Sequence, residues 1–136
     1  MLNRKPDKLG ISGKQGENAQ VFDVNILCLG KFAIQYNNQY IKWNSRKAEE
    51  LIALLVEHHP HAVHREFIID SLWMENDFKK AMTHLNVSIF RARQSLAPIK
   101  NNIQIEYDKD YYRLSFSNCH SELAELENMI KNNDKE

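Results

Sequence analysis

The sequence predicts an α+β domain in which three helices are bracketed by a small antiparallel sheet on the N-terminal side and a β-hairpin on the C-terminal side. Three observations carry that prediction. Short alternating runs rich in Val, Ile and Tyr occupy residues 21–43 and 103–116, and apolar residues recur at helical spacing over 48–56, 68–73 and 78–96. A chain of 136 residues has room for one core but not for two catalytic domains.

Residues 1–20 carry Arg4, Lys5, Lys8 and Lys14 among Gly10, Gly13 and Gly16, with few large apolar groups to offset their ordering entropy. A flexible basic arm or linker is expected there. From Val21 the runs VFDVNILCL, FAIQY and QYIKW are punctuated by Gly30 and by Asn37-Asn38, which tolerate positive φ, so short strands joined by tight turns follow. A first helix should start at Asn44 or Ser45, either of which can cap free N–H groups, with Glu49 and Glu50 set favourably against the helix dipole. Ala48, Leu51, Ile52, Leu55 and Val56 form its core stripe, and His58-His59-Pro60 ends it.

The connector HAVH leads to a second helix, Arg65 to Trp73, expected to bury Ile68, Ile69, Leu72 and Trp73. In the third, Phe78 to Leu96, the residues Phe78, Met82, Leu85, Ile89, Ala92 and Leu96 share one side. Thr83, Val87, Arg91 and Gln94 cluster on the other, flanked by Lys80 and Phe90. Pro98 and Asn101-Asn102 close the helix. IQIEY and YYRLSF then alternate with period two around Asp108-Lys109-Asp110, a hairpin with Ile103, Ile105, Tyr107, Tyr112, Leu114 and Phe116 on one face. The domain proper is placed at 21–117. Residues 118–136 are read as an acidic helix with Leu123, Leu126 and Ile130 on one side, the opening of a truncated following domain.

Lys plus Arg and Asp plus Glu number 18 each, and the net charge is zero. That balance hides a strong segregation. Residues 1–16 hold four bases and one acid, residues 49–77 hold seven acids against Arg65, and residues 79–105 hold five bases and no acid. A basic third helix beside acidic neighbours gives the molecule a positive face that suits a phosphate backbone, while the zero sum predicts weak non-specific binding. No apolar run approaches a membrane span and the N-terminus has no secretory signal, so a cytosolic protein is expected. Cys28 and Cys119 form no CxxC pair and are read as reduced thiols, Cys28 in the core.

The run IKWNSRKAEELIALLVEHH, then HREFIIDSLW, then KKAMTHLNVSIFRARQSL, then a hairpin ending YYRLSF, resembles the winged-helix DNA-binding domain of OmpR/PhoB-type transcription factors. Within that superfamily it is most similar to the SARP branch of antibiotic regulatory proteins and their response-regulator relatives in two-component phosphorelays. The resemblance spans about residues 24–116. It implies that the third helix lies in the major groove, that Val87 meets base edges and that Arg91 faces the groove, with Thr83, Asn86, Ser88 and Gln94 at or beside contact positions. It implies as well that the hairpin is the wing, bringing Lys109 at its tip, and Arg113, towards the minor groove or backbone. Arg93 matches the second arginine of the family's R-x-R pattern, with a structural ion pair as the other reading. Two departures stand out: Tyr111 occupies the place of the wing's usual Gly, and Met74 follows the Leu72-Trp73 pair where SARP relatives have Pro.

Beside the resemblance, the residues have their own physical readings. An exposed Val87 could contact a thymine methyl or be an ordinary exposed apolar residue. Arg91 could bridge guanine acceptors, bind phosphate or pair with an acid, and Lys79, Lys80 and Lys100 together suit a phosphate clamp. Phe90 is expected to pack on the wing or a neighbouring element. His58, His59, His61 and His64 are close enough in sequence to suggest zinc, but no third ligand stands at a recognisable spacing, and no metal or cofactor is expected. Catalytic motifs such as GxSxG, a Walker loop or HExxH are absent, so an enzyme is not expected. Two functions fit: sequence-specific binding of double-stranded DNA by a bacterial regulator, with a homodimer on DNA and polymerase contact implied by resemblance, or a winged-helix module that binds protein through the acidic 49–77 face or the C-terminal helix.

Overall fold

The computed structural model describes residues 21–74 and 77–134; the basic arm expected over 1–20 lies outside them. Strands β1 (Val24–Leu27), β2 (Ala33–Tyr36) and β3 (Gln39–Tyr40) form an antiparallel meander. The two-residue turn between β2 and β3 places Asn37 and Asn38 at φ of 48° and 61°, the left-handed conformation that asparagine accepts readily. Helix α1 (Arg46–His58) follows, capped by Ser45, whose Oγ accepts the Ala48 N–H at 3.0 Å. It buries Ala48, Leu51, Ile52, Leu55 and Val56, the stripe its spacing predicts.

The connector is more than a link. Val63–His64 forms a short strand, β4, pairing antiparallel with Tyr112 and Tyr111 of the later hairpin. Helix α2 (Arg65–Leu72) then buries Ile68 and Ile69, and Trp73 just beyond it, whereas Leu72 stays partly exposed. Helix α3 (Phe78–Ser95) is capped by Asp77, whose carboxylate accepts the Lys80 N–H at 2.8 Å. It is followed by a 3-10 turn (Ala97–Ile99) and the hairpin β5 (Ile103–Asp108) and β6 (Tyr111–Phe116).

The expected faces hold with local exceptions at element ends. Phe78, at the first turn of α3, is 50% exposed, and Ala81 takes the buried place. On the hairpin, Ile103, Ile105, Tyr112 and Leu114 are buried, while Tyr107 projects past the core's edge. The wing turn resolves the departure at Tyr111. Positive φ falls on Lys109 (49°) and Asp110 (75°), and Tyr111 is already an extended strand residue paired with Asp108, so glycine is not needed there.

The first sheet also runs past residue 117, where the sequence reading ended the domain. Strand β7 (Cys119–Ser121) lies parallel to β1, completing the order β3-β2-β1-β7, and helix α4 (Glu122–Asp134) starts directly from it. Glu122 accepts the N–H groups of Cys28 and Leu29 at 2.9 and 3.0 Å, which holds its carboxyl below the usual range. On α4, Leu123 and Leu126 are partly buried, but Ile130 is exposed. Asn102, only 1% exposed, ties the sheets together: its amide donates to Phe22 O and Ser117 O and accepts from Phe22 N. Both cysteines are free and partly buried, and burial pushes the Cys119 thiol up to about 11.

Candidate nucleic-acid interface

Helix α3 faces the core through Ala81, Leu85, Ser88, Ile89, Ala92 and Ser95. That corrects one candidate. Ser88, a contact position only by family resemblance, is 5% exposed and points inward, so it is not a surface contact; on this chain its place on α3 belongs to the buried side. Lys79, Lys80, Thr83, Asn86, Val87, Arg91 and Gln94 all lie on the exposed side.

Stepping about 100° per residue from the buried centre puts Thr83 and Phe90 at the outermost pole, with Gln94 and then Val87 on one side of them and Lys79 and then Asn86 on the other. Lys80 and Arg91 stand farther round, on the Val87 flank. Phe90 is 61% exposed and Val87 41%. Phe90 is therefore mostly exposed rather than packed away on the wing or a neighbouring element as expected.

The polar groups on this face differ in how far they are committed. Among the described residues Lys79, Lys80 and Arg91 have no ion-pair partner. Thr83 Oγ1 donates to Lys79 O at 3.2 Å, which spends its proton within the helix. Gln94 Oε1 accepts from Asn44 Nδ2 at 3.1 Å, leaving its amide N–H groups outward, and Asn44 is held in turn by Ser95 Oγ. Arg93 donates through Nη2 to Ile105 O at 3.0 Å. It supports the hairpin through a hydrogen bond to backbone, not through the ion pair expected as its structural reading.

The hairpin is tied down more heavily. Arg113 Nε lies 2.8 Å from Glu106 Oε1 on the paired strand, while Lys109 at the tip is exposed and unpaired among the described residues. Asp110 fixes the tip. Its backbone O accepts the Arg65 N–H at 2.9 Å, and its carboxylate meets Arg65 Nη1 at 3.1 Å and the Tyr107 hydroxyl at 2.9 Å. Sequence reasoning passed over Arg65 and Asn44 as positioning residues because their partners come from distant segments.

The histidines do not converge. His58 Nδ1 lies 3.0 Å from Leu54 O, His59 stacks on Phe116 at 3.9 Å between centroids, and His64 Nδ1 accepts the Glu66 N–H. No group of three or more His, Cys, Asp or Glu able to hold a metal is found among the described residues.

A helical core with an outward-facing third helix and an adjoining hairpin is the winged-helix class. Residues 43–112, more than half of the chain, match the family model described as "Transcriptional regulatory protein, C terminal", and the chain belongs to that family, the OmpR/PhoB-type domain of transcriptional regulators. The fold is similar to that of Mycobacterium tuberculosis EmbR, solved in complex with a low-affinity phosphopeptide, at a TM-score of 0.58 and 19% identity. The likeness covers 72% of this chain and 26% of EmbR, so the chain spans about a quarter of that protein. No curated protein matches the sequence. Among the described residues no helix is long and apolar enough to cross a membrane.

Proposed function

We propose that this domain binds double-stranded DNA sequence-specifically as the output element of a bacterial transcriptional regulator, working by binding rather than chemistry. The observation that carries this reading is the outer face of α3, where Lys79, Lys80 and Arg91, without ion-pair partners among the described residues, flank exposed Val87 and Phe90. Charges without internal partners are available to phosphates and guanine edges at no cost in broken ion pairs. In this reading Arg91, Val87 and Asn86 address bases, Thr83 and Gln94 add polar contacts, and Lys79 and Lys80 hold phosphates. Lys109 reaches the backbone or minor groove from the wing. Arg113 contributes only when it leaves Glu106. Ser88 has no part.

Family resemblance further suggests head-to-tail dimers on direct repeats in the cytoplasm, with activation through polymerase or an adjoining domain. Titrating mixed-sequence duplex at two salt concentrations tests the core of the proposal. Affinity should fall as salt rises, by roughly 0.9 log units per log unit of salt for each phosphate neutralised. Absence of binding at low salt would favour a protein partner instead.

A further inference from the structure

We propose that Phe90 is a specificity-determining residue that, with Val87, recognises thymine through its C5-methyl group. The inference rests on the reading of α3 as the groove-facing helix. It begins from an oddity: the largest apolar side chain on α3's exposed side stands near the pole furthest from the core, 61% exposed, where folding gains little from it. A single exposed apolar residue is ordinary. Here there are two, on one stripe, and Thr83 at i, i+4, i+7 spacing with Val87 and Phe90 extends it, since its hydroxyl proton is turned back to Lys79 O and its methyl belongs to the same ridge.

The shape and charge of that ridge decide between occupants. A helix packing against another protein helix presents an apolar stripe about 100° wide or more. This ridge is narrower and is bordered by Lys79 on one flank and by Lys80 and Arg91 on the other, and residues 79–105 contain no acid. Apolar groups beside the outward Gln94 amide, with cations at both edges, complement a major groove, where methyl groups and hydrogen-bonding base edges line the floor and phosphates form the walls. Phenylalanine is among the side chains suited to apolar contact with the thymine methyl.

Spacing sharpens the prediction. Val87 and Phe90 are three residues apart, a rise of about 4.5 Å at 1.5 Å per residue. Base pairs follow one another about every 3.4 Å. The two side chains therefore address thymines within two base pairs of each other.

The test uses duplexes recovered from a random pool by the wild-type chain, with each thymine replaced in turn by deoxyuridine, which lacks only the methyl. Wild-type affinity should fall about fourfold at two such positions, the worth of one buried methyl. Phe90→Ala should erase the loss at one position and Val87→Ala at the other, while Phe90→Leu keeps part of it. Thermal unfolding of Phe90→Ala should match the wild type, because the side chain is exposed. A wild type that binds these duplexes without distinguishing thymine from deoxyuridine overturns the proposal and leaves DNA binding intact, as does a Phe90→Ala variant that keeps the full pattern. If Phe90→Ala instead alters self-association in sedimentation and leaves methyl discrimination unchanged, the residue belongs to a contact between copies. A wild type that binds no duplex overturns the DNA reading itself, and this one with it.

Discussion

The outer face of α3 and the hairpin wing both carry cations, but they spend them differently. On α3, Lys79, Lys80 and Arg91 lack ion-pair partners among the described residues. On and around the hairpin, Arg113 is joined to Glu106, Arg65 to Asp110 and Arg93 to the Ile105 carbonyl. A free cation contributes directly to binding a polyanion, whereas a paired one must first give up its partner. Under the proposed function, that difference would assign binding strength and selectivity to α3 and leave the wing chiefly a fixed shape, with Lys109 its one unpaired basic residue among the described residues.

Arg91→Ala should break the α3 side of this contrast most severely. Loss of a bidentate guanine contact should weaken specific binding by about 1 to 3 kcal/mol and relax selectivity at one position, measured by competition between selected and scrambled duplexes. Unchanged specific affinity would remove Arg91 from the base-reading set. Lys80→Ala should act more evenly, weakening binding to all sequences and reducing the slope of log affinity against log salt by about 0.9. Glu106→Gln tests the wing from the opposite direction. Freeing Arg113 should strengthen non-specific binding a few-fold and steepen the salt slope by up to about 0.9, while stability changes by less than about 1 kcal/mol, as for other exposed ion pairs. A flat salt response in that variant would mean that Arg113 lies too far from the duplex to matter even when released.

Much of this arrangement was readable in the sequence because it is periodic. The α1 stripe from Ala48 to Val56, the Asn37-Asn38 turn and the outward position of Val87 and Arg91 follow from spacing and local propensity. What periodicity could not supply were pairings between distant segments. Two- and three-residue strands such as Val63–His64 and Cys119–Ser121 have no repeat of their own and exist because a longer strand offers them hydrogen bonds. Asn102 reads as a turn residue, yet it is a buried tie between the first sheet and the hairpin. Ser88 shows the limit of carrying positions over by resemblance: the family's contact position falls, on this chain, among the residues α3 buries. Phe90 was misjudged for a different reason, since hydrophobicity suggested packing where helical angle gave the solvent pole.

The smallest expected effect comes from the base of the wing, and it is on stability. His59, at the end of α1, stacks on Phe116 with ring planes 16° apart, and burial, followed by the nearby Arg113 and His61, lowers its pKa below 6.5. A base whose folded pKa lies below its unfolded value takes up protons more readily when unfolded, so protonation favours unfolding. The stabilising contribution is therefore complete above about pH 6.5 and is lost as pH falls towards the folded value. Denaturant midpoints measured downward from pH 7.5 should begin to decline in that window, and His59→Phe, which keeps an aromatic ring on Phe116, should remove that part of the decline. DNA affinity at pH 7.5 should be unchanged, because His59 meets the hairpin at Phe116, at its base, and contributes none of the charges on α3's outer face. A variant that shifted affinity without altering the pH dependence of stability would show that the wing is less independent of the reading helix than its closed ion pairs imply.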